Sequence, residues 1–109
     1  MSIMQRSSEK REYARLSVNF PVSIELPNRK RAKAIAINIG QGGMLVDCVS
    51  EASFSKLDDV NIYLPINHNQ NSYAIAAKVT RVQGNQIGLF FYTDPSEYLQ
   101  ESLGESYAH

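Results

Sequence analysis

Between Ser17 and Leu26 apolar and polar residues alternate: Val18, Phe20, Val22, Ile24 and Leu26 against Ser17, Asn19, Pro21, Ser23 and Glu25. A period of two marks a half-buried strand with one face on a core and the other on solvent. Pro21 has no N–H to give to a ladder, so this strand lies at an edge or carries a bulge. Pro27-Asn28-Arg29-Lys30 reads as a turn. A second strand runs from about Arg31 to Ile39, with Ile35, Ile37 and Ile39 on one face and Ala32, Ala34, Ala36 and Asn38 on the other. The alanine face is lean, which leaves room for something to lie close against it.

Gly40-Gln41-Gly42-Gly43 forms a tight turn, and Met44 to Cys48 a third strand. Residues 49–59 are a polar connection, with a helical turn expected around Phe54 to Leu57. Val60, Ile62, Leu64 and Ile66 alternate with polar positions and Pro65 in a fourth strand, and Asn67 to Ser72 form a polar loop. Tyr73, Ile75, Ala77 and Val79 mark a fifth strand that continues to about Val82. Gly84-Asn85 suits a tight hairpin, because both residues tolerate positive φ, and Ile87 to Tyr92 make a sixth strand.

The period then changes. Asp94-Pro95-Ser96-Glu97 is a helix start, with an acid at the N-cap, proline at the first helical position and glutamate at the third. Leu99 and Leu103 share one helix face with Tyr98 beside them, and Gly104 is a stop. A helix this short is not stable alone and must dock its apolar face. The expected fold is therefore all-β: a six-stranded antiparallel β-barrel with a short C-terminal helix and a flexible N-terminal arm. Closure removes exposed sheet edges. The expected layout is one domain over 1–109, with an arm over 1–16, a barrel over 17–92 and a helix over 94–104.

The bulk numbers fit that picture. A chain of 109 residues, 43% hydrophobic, can bury one modest core. No apolar run approaches a membrane span, and Arg6, Glu9, Lys10, Arg11, Glu12 and Arg15 rule out a signal-peptide core, so no membrane insertion and a cytoplasmic location are expected. The single cysteine, Cys48, reads as a strand thiol. Net charge is zero but unevenly spread. Residues 1–33 hold eight Lys or Arg against three acids, and residues 34–109 hold three against eight. Such a basic segment is either a solvated arm or an anion-binding one.

Catalytic or metal chemistry finds no support. His68 lies in a polar loop and His109 at the end of the chain, neither with a neighbour at metal-ligand or triad spacing. Asp58-Asp59 reads as a solvent-facing strand entry. No Walker or dinucleotide-binding glycine pattern joins a strand to a helix. Two features carry more. Arg11 and Arg15, with Lys10 beside them, present two planar forks able to hold a guanine O6/N7 edge, stack on a base or clamp a phosphate. Asn38, at the start of Asn38-Ile39-Gly40-Gln41-Gly42-Gly43, can donate to and accept from a base edge, while the glycines let backbone N–H groups approach a ligand. Each also has an ordinary reading, as a solvated arm and as a strand-connecting turn.

Together the two features resemble the PilZ domain family, which carries RxxxR on an N-terminal arm and [D/N]xSxxG at the end of the second strand. Arg11 and Arg15 match the first motif, and Asn38 and Gly43 match the outer positions of the second. Ile87-Gly88-Leu89-Phe90-Phe91 is similar to the family's late glycine-containing strand. The resemblance covers about residues 6–104. It implies a non-enzymatic, cytoplasmic bacterial receptor for the second messenger cyclic di-GMP, bound by Lys10, Arg11, Arg15, Asn38, Gly40 and Gly43, with no cofactor or metal. A basic residue before the first arginine, here Lys10, accompanies an intercalated ligand dimer in the family and so implies two ligands per domain. Gly40 stands where the motif has serine, so a hydroxyl contact is lost. A mechanism follows: ligand draws the arginine arm onto the barrel near Asn38, and the new surface signals to a downstream protein partner. The alternatives are a degenerate PilZ adaptor that acts by protein–protein contact without ligand, and a small RNA-binding barrel. The latter needs basic residues and aromatics on one sheet face. The basic residues lie instead in the arm and first turn, so no DNA or RNA is expected.

Overall fold

The computed structural model describes residues 15–50, 52–66 and 72–103. It contains strands β1 (Arg15–Glu25), β2 (Arg31–Gly40), β3 (Gly43–Cys48), β4 (Asp59–Pro65), β5 (Ser72–Gln83) and β6 (Gln86–Phe91), then helix α1 (Ser96–Leu103). The strands close into a barrel in the order β1-β2-β3-β6-β5-β4, every pair antiparallel. The all-β barrel with a short C-terminal helix expected from the alternation is thus what forms. β1 begins at Arg15, so the last two residues assigned to the arm belong to the barrel.

The lean face of β2 is the core face. Ala32, Ala34 and Ala36 are buried, and Ala34 and Ala36 share a core cluster with Val22, Ile24, Val46, Ile62 and Leu64. Small side chains there let the larger residues of the facing wall fill a narrow barrel. Arg29 at φ 75 and Gly84 at φ 63 provide the left-handed positions of the first and last hairpins. The segment around Phe54 to Leu57 is not helical. Leu57 has φ 79 and donates its N–H to Val79 O at 2.7 Å, while Asp58 Oδ2 accepts from Ser55 N at 2.9 Å. These donors serve the barrel and a side-chain cap instead of a helical ladder. Cys48 is half-buried in β3, with Sγ 3.2 Å from Ser50 O.

Asp94 caps α1 as its position suggests: Oδ1 accepts from Ser96 N at 2.9 Å and from Ser96 Oγ at 2.6 Å. The helix packs over the barrel end where β4 leads into β5. Leu99 is fully buried, and the Tyr98 ring lies 5.2 Å from that of Tyr73. The Tyr98 hydroxyl donates to Pro65 O at 2.8 Å. Burial pushes its pKa from 10.0 up to about 12. A raised pKa means that the neutral form is favoured in the folded state. Its contribution is complete below pH 10 and is lost as pH climbs from 10 towards 12. Tyr98→Phe is expected to cost about 1 kcal/mol at neutral pH through the orphaned carbonyl. Denaturant titrations at pH 8 and pH 11 should show the gap between the two proteins narrowing at the higher pH. A constant gap would refute this account of the hydroxyl.

Candidate ligand-binding site

Two irregularities in the ladders shape one groove on the outer wall. In the β2–β3 pairing, Ala36 lies opposite Val46 and Asn38 opposite Leu45, so Ile37 is an extra residue. An extra residue reverses which side chains face the core. Ala36 and Ile39 are both buried, and Asn38 is turned off the alanine face onto the outer wall. The unbroken alternation read from the sequence, which put Asn38 in line with the alanines, is corrected by this bulge. On the far side of the groove, β5 places Val79 opposite Leu89 and Arg81 opposite Gly88, with Thr80 extra. Val79 faces the core, and Arg81 faces out.

The register then lines up one transverse row across five strands: Ser17, Asn38, Leu45, Gly88 and Arg81. The groove along it encloses about 330 Å³ and is lined by Arg15, Asn38, Met44, Leu45, Thr80, Arg81, Gly88 and Leu89. Its described lining holds two arginines and no acid. Arg15 Nη1 donates to Asn38 Oδ1 at 2.7 Å, which joins the second arginine of RxxxR to the first residue of the glycine motif. Lys10 and Arg11 lie outside the described residues, as do His68 and His109.

The other motif positions have distinct environments. Gly40 ends β2 opposite Arg15. Among the described glycines, positive φ occurs at Gly84 and not at Gly40. Gly43 faces the β6 backbone so closely that a Cβ would stand 2.1 Å from Leu89 O. Gln41, between them, was not singled out in the sequence. Its Nε2 donates to Asp94 Oδ1 at 3.2 Å and Ser96 Oγ at 2.7 Å, which ties the glycine turn to the start of α1. The hydrogen bonds from Ser96 and Gln41 hold the Asp94 carboxyl below its usual pKa. Arg81 was also missed. Its place depends on the Thr80 bulge, which leaves no mark in a run of strand-forming residues.

A larger groove of about 670 Å³ lies over β1, β2 and β4, beside Arg31, Lys33 and Tyr63. Arg31 stacks on the Tyr63 ring, 4.0 Å from its centroid. None of the described motif residues lines it, so the smaller groove is the better candidate, because hydrogen-bonding groups converge there. Among the described residues no three His, Cys, Asp or Glu side chains gather to hold a metal ion, and no helix is long and apolar enough to cross a membrane.

The same fold occurs in solved structures. The PilZ domain of CeSA from a cellulose-synthesizing bacterium superposes with a TM-score of 0.68 at 14% identity, covering 85% of this chain and 98% of that one. The PilZ domain of YcgR from Escherichia coli, solved with c-di-GMP, gives 0.68 at 16% identity over 91% of this chain and 92% of that one. The Bacillus subtilis inhibitor of motility, MotI/DgrA, gives 0.65 at 19% identity over 85% of this chain but 47% of its own. No curated protein matches the chain significantly. The model of the PilZ domain family matches residues 9–108, nearly the full length. With the closed barrel and the capped helix beside that match, the chain belongs to the PilZ domain family.

Proposed function

We propose that this domain is a cyclic di-GMP receptor that acts through a protein partner and performs no chemistry of its own. The observation that supports the reading is the Arg15–Asn38 hydrogen bond, which joins one residue of each motif at one groove with no acid in its described lining. The YcgR domain, which shares the fold, was solved with this ligand. Lys10, Arg11 and Arg15 bind guanine edges and phosphates, Asn38 binds a base edge, and the backbone at Gly40 and Gly43 supports the contact. Ligand fixes the segment carrying Lys10 and Arg11 against the barrel. Ordering it uses part of the binding energy and creates a new surface. Lys10 favours two ligands per domain. The output is the altered surface, read by a cytoplasmic protein.

Calorimetric titration with cyclic di-GMP tests this directly. Saturable heat is expected, with a ligand-to-protein ratio of two. No heat at tens of micromolar, with folded protein, would sink the receptor reading. It would also promote the alternative favoured by Gly40, an adaptor that binds its partner without ligand. Gly40→Ser restores the motif hydroxyl at a position whose φ is open to serine. It is expected to leave affinity unchanged or to tighten it by the worth of one neutral hydrogen bond, about 0.5–1.5 kcal/mol. A clear loss with the fold intact would show that Gly40 is required for its backbone.

A further inference from the structure

We propose that Arg81 is a third arginine of the ligand site, gripping an anionic phosphodiester group from the wall opposite Arg15. The inference rests on the receptor reading above and extends it to a residue outside both motifs. Three independent features of the fold support it. The first is the Thr80 bulge. Arg81 is two residues beyond buried Val79 and in an unbroken strand would share its inward face; the extra residue turns it out. Ile37 does the same for Asn38 on the other wall, so the irregularities in the β2–β3 and β5–β6 ladders each deliver a polar side chain to one row. Bulges concentrate where a strand must re-aim a side chain.

The second feature is the floor. Gly88 lies between Leu45 and Arg81 in the row, and a Cβ there would stand 3.1 Å from Arg81 Cβ and 3.5 Å from Thr80 Oγ1. Glycine keeps the floor low and leaves the arginine stem undisturbed. The third is the state of the guanidinium. Arg81 Nε and Nη2 donate to Gln83 Oε1 at 3.1 and 2.6 Å, and among the described residues Arg81 forms no ion pair. A neutral amide oxygen orients the fork without cancelling its charge, and no acid is among the described residues that line the groove. A guanidinium so placed beside Asn38 and Arg15 suits an anionic phosphodiester, to which it gives a charge-assisted hydrogen bond.

Titrations with cyclic di-GMP of the wild-type chain, Arg81→Ala, Arg81→Lys and Lys33→Ala test this, with thermal melts of each. Lys33 lies on the other groove and controls for a general loss of positive charge. Arg81→Ala is expected to weaken binding at least about tenfold with an unchanged melt, the worth of one charge-assisted contact. Arg81→Lys should recover part of that loss, because lysine keeps the charge but not the fork. Lys33→Ala should stay within about twofold of wild type, smaller than one such contact. Wild-type binding with Arg81→Ala within about twofold of it would overturn the role of Arg81 and leave the receptor reading standing. Equal losses in Arg81→Ala and Lys33→Ala would reduce the effect to net charge and overturn it too. No binding by the wild-type chain would overturn both.

Discussion

Gly43→Ala is expected to destabilise the barrel by about 3 kcal/mol or more, the upper end of what overpacking costs. The added Cβ would be placed 2.1 Å from Leu89 O, and the obstacle is backbone. No rotamer change can relieve the contact; β3 or β6 must move. Both strands are committed by their pairing, Gly43 opposite Phe90 and Met44 opposite Leu89, and by Phe91 N donating to Gly42 O at 3.0 Å. Met44 and Leu89 are core residues, so a shift there opens the core as well. For a domain near 100 residues, 1 kcal/mol moves the melting temperature by about 4–8 °C, so the loss should exceed about 12 °C. Gly88→Ala is the matched control. Its Cβ would stand 3.1 Å from Arg81 Cβ and 3.5 Å from Thr80 Oγ1, contacts relieved by a shift of a few tenths of an ångström where Gly43→Ala needs far more. Thermal denaturation of both proteins checks the claim, which fails if Gly43→Ala melts within about 2 °C of wild type, well under the shift for 1 kcal/mol. The last glycine of the motif has a structural reason to be glycine whatever it does for a ligand.

Why that glycine is needed could not be read from the chain, whereas the strands on either side could. Alternation with β-branched and aromatic residues marks each of the six strands to within about two residues of its observed ends, and Asp94-Pro95 marks the helix. These are local signals, written in the period and in the cap. What escaped is non-local. The bulges at Ile37 and Thr80 arise from register against neighbouring strands, and each reverses the face of the residue after it. Thus Asn38 reads as continuing the alanine face, and nothing in the chain marks Arg81 out. The lean alanine face was visible, but whether it met a core or a ligand depended on closure. The helical turn around Phe54 to Leu57 fails for a similar reason, since the Leu57 amide is taken by Val79 across the barrel. The site was half legible: its motif residues through resemblance, its second wall only through pairing.

Arg15→Ala is expected to weaken cyclic di-GMP binding by about 5- to 150-fold, the range of a lost bidentate contact of roughly 1–3 kcal/mol. Arg15 is exposed at the start of β1 and contributes nothing to the core, so the fold should persist. Two effects act together. The guanidinium no longer meets the ligand, and Asn38 loses the donor that holds its Oδ1 at 2.7 Å with the amide N–H groups left to a base edge. A single substitution therefore disorganises both motifs. Arg15→Lys separates the contributions: it keeps the charge that attracts the phosphates but loses the planar fork, and it should recover only part of the affinity. Arg15→Ala combined with Asn38→Ala should lose less than the sum of the two single changes, because the pair acts as a unit. Strict additivity would mean that the bond between them has no bearing on ligand binding. Near-normal affinity in Arg15→Ala would overturn the ligand role assigned to Arg15 and to its bond with Asn38.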